Sequence, residues 1–108
     1  MILENSMNRL KIITEIREKL RNGKASIGSW MQIPHGSVAE ILGHAGYDWV
    51  AVDLEHGSIS THQLPGLFRA IESCGTLPLV RLSQAHQKDC KRSLDAGAGG
   101  VIVPMLEN

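Results

Sequence analysis

Three ionisable residues, Asp53, His56 and Arg81, follow apolar runs at positions where chemistry is possible. Asp53 comes directly after the run 49–52 and three residues before His56. At this spacing the carboxylate can accept a hydrogen bond from one imidazole nitrogen and leave the other facing a ligand. Such a pair fixes the tautomer, as a general base near neutral pH requires. A solvated His56, with Asp53 capping the next loop, is an equally open alternative.

Arg81 ends a second apolar run, residues 77–80. Its planar guanidinium could bind a carboxylate or an enolate through two parallel hydrogen bonds. The structural alternative is an ion pair with an acid of a neighbouring strand. The other histidines match no metal-binding spacing and are typical of surface positions, although the first could face the same site: His35, His44, His62 and His86.

The elements that must position these residues alternate along the chain. Apolar residues at steps of three and four predict an amphipathic helix from Met7 to Asn22, with an apolar face of Leu10, Ile13, Ile16 and Leu20. The sequence then predicts strands at 26–32, 49–53, 77–82 and 100–104, and helices at 38–46, 60–75 and 87–96. One crossover helix between consecutive strands indicates an α/β fold with a parallel sheet.

Local signals fix the ends of these helices. Two pairs have the spacing of a capping box: Ser37 with Glu40 and Ser60 with Gln63. Each helix is followed by a glycine that can end it: Gly23, Gly46, Gly75 and Gly97. The glycine-rich segment 97–100 enters a strand, whereas a phosphate-binding loop leaves a strand and enters a helix, so no nucleotide site is predicted.

Functional side chains in parallel α/β folds collect at the carboxyl ends of the strands. The predicted strands end near Trp30, at Asp53, at Arg81 and at Pro104. Adjacent ends would therefore bring Asp53, His56 and Arg81 together, which favours a site for an anionic ligand.

Composition excludes several classes of function. The 108 residues contain 11 Lys and Arg against 11 Asp and Glu, so no net charge favours nucleic acid or an anionic membrane surface. With 43% hydrophobic residues, the chain is typical of one small globular domain. Cys74 and Cys90 form no Cys-x-x-Cys pair and are predicted to be reduced apolar fillers. No signal or transmembrane segment is predicted, so we expect a cytoplasmic protein.

The ordered motifs resemble the HpcH/HpaI aldolase family, which belongs to the pyruvate- and phosphoenolpyruvate-handling TIM barrels. The segments that carry the resemblance are Gly28-Ser29-Trp30, Glu40, 45–50, Asp53-Leu54-Glu55-His56-Gly57, Pro78-Leu79-Val80-Arg81, 94–98 and 103–105. It implies a metal-dependent enzyme that cleaves 4-hydroxy-2-oxo acids into pyruvate and an aldehyde. The related citrate lyase β-like family usually has Asp-Leu-Glu-Asp at the second strand, so His56 favours the aldolases.

The resemblance assigns roles to individual residues of this chain. It implies that His56 is the catalytic base and Asp53 its orienting partner. Arg81 would hold the pyruvate part and stabilise its enolate, while Trp30 would line the mouth and Glu55 would support the loop. No lysine falls at the carboxyl end of a strand, so nothing in these units supports a Schiff-base route.

The resemblance also implies features beyond this chain's own site. Asp95 would approach a neighbouring subunit's site in a hexamer. A divalent metal, Mg²⁺, Mn²⁺ or Co²⁺, would chelate the 2-oxo acid. Its ligands are expected from later strands, beyond Asn108, with no metal ligand in this chain and no nucleotide cofactor. We expect no nucleic-acid or membrane partner.

The predicted organisation is an N-terminal helix over residues 1–22, followed by the first four βα units of a (β/α)8 TIM barrel over 23–108. We expect either an N-terminal fragment of a full aldolase or a truncated chain. Two other functions stay open. One is a citrate lyase β-like acyl-CoA lyase, and the other is an inactive half-barrel that acts only in assembly or weak ligand binding.

Overall fold

The computed structural model describes residues 2–56, 58–84 and 87–103, with side chains from Arg9 onward. Helices and strands alternate as the sequence predicts, which confirms the α/β class. In chain order the elements are α1 (Ile2–Arg21), β1 (Gly28–Met31), α2 (Gly36–His44), β2 (Trp49–Asp53), a 3-10 turn (Thr61–Gln63), α3 (Leu64–Glu72), β3 (Leu77–Arg81), α4 (Gln87–Asp95) and β4 (Gly100–Ile102). Pro104, expected to end the fourth strand, lies outside the described residues, as do His86 and the last residue, Asn108.

The four strands form one parallel sheet in the order β1-β2-β3-β4. Each strand therefore pairs with its neighbour in sequence, as expected when a single helix connects them. The register places Asp53 directly opposite Arg81 at the end of the sheet where both strands finish. We call this end, at which strands leave the sheet, the carboxyl edge, and the opposite end the amino edge.

The hydrophobic core lies on the face of the sheet that the helices cover. Alternate strand residues point to it, so Val50 and Val52 belong to the core cluster while Ala51 and Asp53 face the other side. Helix α3 has apolar residues at the i, i+3, i+4 and i+7 positions that bury one face. The buried cluster joins strand and helix residues, among them Met31, Val50, Val52, Val80, Leu82, Leu64, Leu67, Phe68 and Ile71.

Helix α1 lies across the amino edge and covers only part of its predicted apolar face. Ile13 and Ile16 are half-buried, as predicted. Leu10 is 65% exposed and Leu20 is 58% exposed. Two basic residues anchor the helix instead: Arg9 contacts Glu72, and Lys19 contacts Asp48. Long basic side chains can cover apolar surface and reach acids beyond it, and apolar periodicity alone does not reveal this.

The helix ends confirm one capping box and correct the other. Gln63 accepts a hydrogen bond from the Ser60 amide at 2.9 Å, as expected. The capping box predicted for Ser37 and Glu40 is wrong, because α2 begins one residue earlier, at Gly36. The N-cap is His35, and its Nδ1 accepts a hydrogen bond of 3.1 Å from the Ser37 amide. The four glycines predicted to end helices all have a positive φ: Gly23, Gly46, Gly75 and Gly97.

The two cysteines differ in their surroundings. Cys90 is half-buried against the core cluster, as a filler should be. Cys74 is exposed, so its interpretation as an apolar filler is wrong. It lies in the turn after α3, at the amino edge rather than on the buried face of the helix.

Among the described residues, no helix is long and apolar enough to cross a membrane.

Candidate active site

Asp53 is the centre of the hydrogen-bond network at the carboxyl edge. Its side chain is fully buried and accepts from the Trp30 indole at 2.8 Å and the Gln32 amide at 3.3 Å. It also accepts from the backbone amides of Glu55 at 2.8 Å and His56 at 3.0 Å. A carboxylate that turns back onto amides two and three residues later is the usual device by which aspartate closes a tight turn. The loop after β2 is therefore folded around Asp53.

These contacts keep Asp53 ionised. Burial alone would raise the pKa of the carboxyl, because it removes the charged form from water. The hydrogen bonds, led by the one from the His56 amide, outweigh burial and lower the pKa of Asp53 to about 2. Near neutral pH, Asp53 is thus a fixed negative charge that holds its donors and is unsuited to exchanging protons with a substrate.

Of the two interpretations of Asp53 and His56, the structure shows the second: Asp53 caps the loop and His56 is exposed, and the hydrogen bond to the imidazole is not formed. Within the described part of the chain, the donors to Asp53 include the backbone amide of His56 and not its ring. The acid near the ring is Glu55, whose Oε1 lies 3.6 Å from His56 Nε2. The turn amides bind Oδ1 of Asp53, while Trp30 and Gln32 bind Oδ2, so both oxygens already have donors. The His56 side chain is 58% exposed, so its imidazole is open to a ligand.

Arg81 pairs with Glu55, an acid from the loop after the neighbouring strand. Arg81 Nη2 lies 2.7 Å from Glu55 Oε2, and each side chain is 26% exposed. The guanidinium carbon also lies 5.8 Å from the centroid of the Trp30 ring, within range of a cation–π contact. Arg81 Nε is buried and makes no hydrogen bond within the described residues. The structural alternative, an ion pair with an acid next to the neighbouring strand, is thus what the structure shows. Binding of an anion by Arg81 stays a prediction.

The position of Trp30 depends on its neighbours in β1 and β2. Its ring meets the Trp49 ring edge-on, with centroids 6.4 Å apart and planes at 83°. A Cβ atom on Gly28, the strand partner of Trp49, would overlap the Trp49 ring. Gly28 is therefore needed for Trp49 to pack here, and Trp49 in turn supports the indole that binds Asp53. Trp30 is 39% exposed, which suits a residue that lines a site.

Sequence reasoning missed three members of this network. Gln32 binds Asp53, while Gly28 and Trp49 hold Trp30 in place. The signal for Gln32 was available, since it lies two residues after Trp30 and therefore on the same face of the strand. The role of Gly28 could not be found this way, because it depends on the strand register.

The other candidate residues lie apart from this network. His35 caps α2 and is exposed. Asp95 is the last residue of α4, a helix that runs back toward the amino edge, so it is remote from this chain's own Arg81. His62 contacts the Ser60 hydroxyl at 3.2 Å. His44 lies near Cys74.

The residues described do not by themselves form a site for a divalent metal. In the ranges 2–56, 58–84 and 87–103, no group of three or more His, Cys, Asp or Glu side chains converges on one point. The hydrogen bonds of Asp53 occupy both of its oxygens, and Glu55 faces Arg81. The carboxyl edge therefore holds an arginine, an exposed histidine and two acids that already have partners, and we assign no metal ligand among the described residues. Ligands supplied from beyond Asn108 stay a prediction.

Comparison with known proteins finds that this chain is similar to aldolases. It is 39% identical, over 82% of its length, to the 2-dehydro-3,6-dideoxy-6-sulfogluconate aldolase of Pseudomonas putida. It is 33% identical over 85% to the 4-hydroxy-2-oxo-heptane-1,7-dioate aldolase of Salmonella dublin. The chain spans 35% of the length of each of these relatives.

Two solved structures of similar sequence share the fold of this chain. A HpcH/HpaI aldolase/citrate lyase family protein from Burkholderia cenocepacia J2315 superposes with a TM-score of 0.75 at 33% identity, over 86% of this chain and 37% of that one. The citrate synthase SbnG superposes with a TM-score of 0.74 at 34% identity, over 86% and 38%. The sequence model of the HpcH/HpaI aldolase/citrate lyase family matches residues 26–108. This chain therefore belongs to the HpcH/HpaI aldolase/citrate lyase family.

Proposed function

We propose that these residues are the amino-terminal part of an aldolase that cleaves 4-hydroxy-2-oxo acids into pyruvate and an aldehyde. The observation that carries the proposal is the arrangement at the carboxyl edge. The exposed imidazole of His56 and the partly exposed guanidinium of Arg81 approach the same acid, Glu55, whose two oxygens lie 3.6 Å from the first and 2.7 Å from the second. A base and an anion-binding group at one edge are what this cleavage requires of a protein.

The first step assigned to this chain is binding of the 2-oxo acid. The carboxylate and the 2-oxo oxygen would lie against Arg81, in exchange for part of its contact with Glu55. The Trp30 ring supports the guanidinium, so the donors keep their direction when the partner changes. The same donors would stabilise negative charge as the enolate of pyruvate develops on the 2-oxo oxygen.

The second step is the proton transfer that breaks the bond. The His56 imidazole would take the proton from the 4-hydroxyl, the C3–C4 bond would break, and the carbon of the hydroxyl would leave as an aldehyde. The electron pair of that bond becomes the enolate of pyruvate, which then takes a proton at C3. Asp53 has no proton to exchange and serves as a positioning residue for the loop that carries His56.

Part of this proposal concerns a metal and a neighbouring subunit, which involve residues other than those of this chain. A divalent cation, held by ligands from later strands beyond Asn108, would add Lewis-acid assistance. Treatment of the intact protein with a chelator, followed by re-addition of Mg²⁺, Mn²⁺ or Co²⁺, tests that dependence. We also propose a cytoplasmic homo-oligomer. In it Asp95 would serve a neighbouring subunit's site, since it lies at the edge remote from its own Arg81.

A second candidate is a lyase or synthase that acts on an acyl-CoA. The similarity to the citrate synthase SbnG favours it, because the two chains share the fold at 34% identity. Both reactions pass through an enolate, so Arg81 would serve either. Assays of the intact protein with 4-hydroxy-2-oxo acids and with CoA thioesters distinguish the two. Turnover of a CoA thioester without aldol cleavage would establish the second candidate.

The roles of His56 and Arg81 are tested by substitution in the intact protein. We expect His56→Ala to lower kcat for pyruvate release by at least about 100-fold, as loss of a general base usually does. Arg81→Lys should cost about 100-fold in kcat/KM, because a lysine cannot reproduce the planar donors. His62→Ala is the matched control, since this histidine lies in the turn before α3 and contacts Ser60. Normal pyruvate release by His56→Ala would overturn the assignment of the base.

A further inference from the structure

Gln32 stands at the carboxyl edge, directly after β1, and its side chain has hydrogen-bonding capacity to spare. It follows Met31, whose partner in the sheet is Val52. Continuing that register places Gln32 level with Asp53, and Asp53 is paired with Arg81 on the next strand. The three residues therefore form one row across the ends of three strands, with an amide at one end of the row and a guanidinium at the other.

The negative charge of Asp53 fixes the orientation of the Gln32 amide. An ionised carboxylate only accepts hydrogen bonds, so the NH₂ group of the glutamine must face it. The contact has this sense, with Gln32 Nε2 3.3 Å from Asp53 Oδ2. The amide oxygen, Oε1, is therefore turned away from Asp53, and it makes no hydrogen bond to any residue that the structure describes. One acceptor and one N–H group remain for a ligand at an exposed position.

The Trp30 indole lies between Gln32 and Arg81. Its Nε1 donates a hydrogen bond of 2.8 Å to the oxygen of Asp53 that also accepts from Gln32. Its ring centroid lies 5.8 Å from the guanidinium carbon of Arg81. Neighbouring strands are about 4.8 Å apart, so the backbones of Gln32 and Arg81 are about 10 Å apart. A substrate whose carboxylate is bound at Arg81 can thus extend along the row and place its far end beside Gln32.

We propose that Gln32 is a specificity residue that selects substrates with a hydroxyl group on C5, next to the carbon that leaves as the aldehyde. The inference rests on the proposed aldolase function. Oε1 of Gln32 accepts a hydrogen bond from this hydroxyl, and the remaining N–H can donate to the hydroxyl oxygen. A methyl group in the same place leaves the amide without a partner, and a carboxylate there is repelled by Asp53. The substrate class is therefore the 4,5-dihydroxy-2-oxo acids.

The test is the reverse reaction, the addition of pyruvate to two aldehydes that differ by one hydroxyl group, glycolaldehyde and acetaldehyde. Their kcat/KM values are measured with the intact protein and with Gln32→Met, which keeps the length of the side chain. We expect the ratio of kcat/KM for glycolaldehyde to kcat/KM for acetaldehyde to fall by about tenfold in the variant. Comparing this ratio between the two proteins cancels the different intrinsic reactivities of the aldehydes.

A purely structural role of Gln32 predicts a different result. If the amide only supports Asp53, its loss lowers kcat/KM for both aldehydes by the same factor, and the ratio stays constant. Gln87→Met, at the exposed start of α4, is the matched control and should leave both values unchanged. Gln32→Ala provides a second substitution should the methionine variant lose its fold, as judged by circular dichroism.

The same assay separates failure of this inference from failure of the proposed function. A parent protein that acts on both aldehydes, with a ratio that folded Gln32→Met or Gln32→Ala leaves unchanged, would overturn the role of Gln32 and leave the aldolase function standing. A parent protein that adds pyruvate to neither aldehyde would overturn the aldolase function, and the role of Gln32 with it.

Discussion

The two ends of β2 carry the same residue type in different surroundings. Asp48, just before the strand at the amino edge, accepts from Lys19 Nζ at 2.7 Å and from the Ile27 amide at 3.0 Å. Asp53, at the carboxyl edge, accepts from two side chains and two backbone amides and is fully buried. Asp48 therefore ties one helix and one strand to β2, whereas Asp53 organises a whole loop.

The two edges of the sheet also differ in how their charged side chains are paired. At the amino edge, acids meet bases from other elements, as Lys19 meets Asp48 and Arg9 meets Glu72. Such pairs fix α1 on the sheet. At the carboxyl edge the donors to Asp53 are neutral, so that acid does not neutralise the positive charge of Arg81. That charge faces Glu55 and the Trp30 ring instead.

The largest contrast is expected from the matched substitutions Asp53→Asn and Asp48→Asn. An asparagine in place of Asp53 would direct its NH₂ group at donors and leave them unsatisfied, so we expect a loss of about 3 kcal/mol in the free energy of unfolding. Asp48→Asn removes a partly exposed ion pair and should cost about 1 kcal/mol. Urea denaturation of the intact protein measures both. Equal losses would contradict the distinction between the two ends.

A smaller effect is expected from acid. The pKa of Asp53 is lowered to about 2 from an ordinary value near 4, so the ionised form stabilises the fold at higher pH. This stabilisation is fully present above about pH 4 and is lost as the pH falls through 2, with a total of roughly 2 kcal/mol. Lys19 also holds the pKa of Asp48 below its usual range, so that acid contributes with the same sign.

Denaturation at several pH values between 5 and 2 resolves the two contributions. Salt should weaken the part that comes from Asp48, because its ion pair is closer to solvent, and leave most of the part from buried Asp53. Asp53→Asn should flatten the curve in this range. A curve for Asp53→Asn as steep as that of the parent would show that the carboxylate is not the group that titrates.

The fold and the location of the site could be predicted from sequence because they depend on local patterns. The apolar runs before Asp53 and Arg81 are long enough to identify buried strands, and parallel order then brings their ends together. The partner of Asp53 could not be predicted in the same way. Whether it binds the ring or the backbone of His56 depends on how tightly the loop turns, and residue spacing is the same in both cases.

Contacts between side chains that are far apart in sequence could not be predicted either. Cys74 and His44 are 30 positions apart, and only the packing of two helix ends brings them together. The anchoring of α1 through Arg9 is a similar case, since the pattern of apolar residues does not show where a basic side chain binds. Long polar side chains reach partners that periodicity does not indicate.

The smallest expected effect concerns Arg9 and tests whether the amino edge is purely architectural. Arg9 makes two hydrogen bonds to Glu72, at 2.7 and 2.8 Å, and one of 2.7 Å to the Gly97 carbonyl. A lysine cannot reproduce this fork, so Arg9→Lys should lower the free energy of unfolding by about 1 kcal/mol. Arg17→Lys, on an exposed face of the same helix, should change it by less than about 0.5 kcal/mol.

Catalytic turnover should stay within about twofold in both variants, because a strand of five residues spans roughly 15 Å between the edges. A larger loss of turnover in folded Arg9→Lys would mean that the two edges are coupled through the sheet.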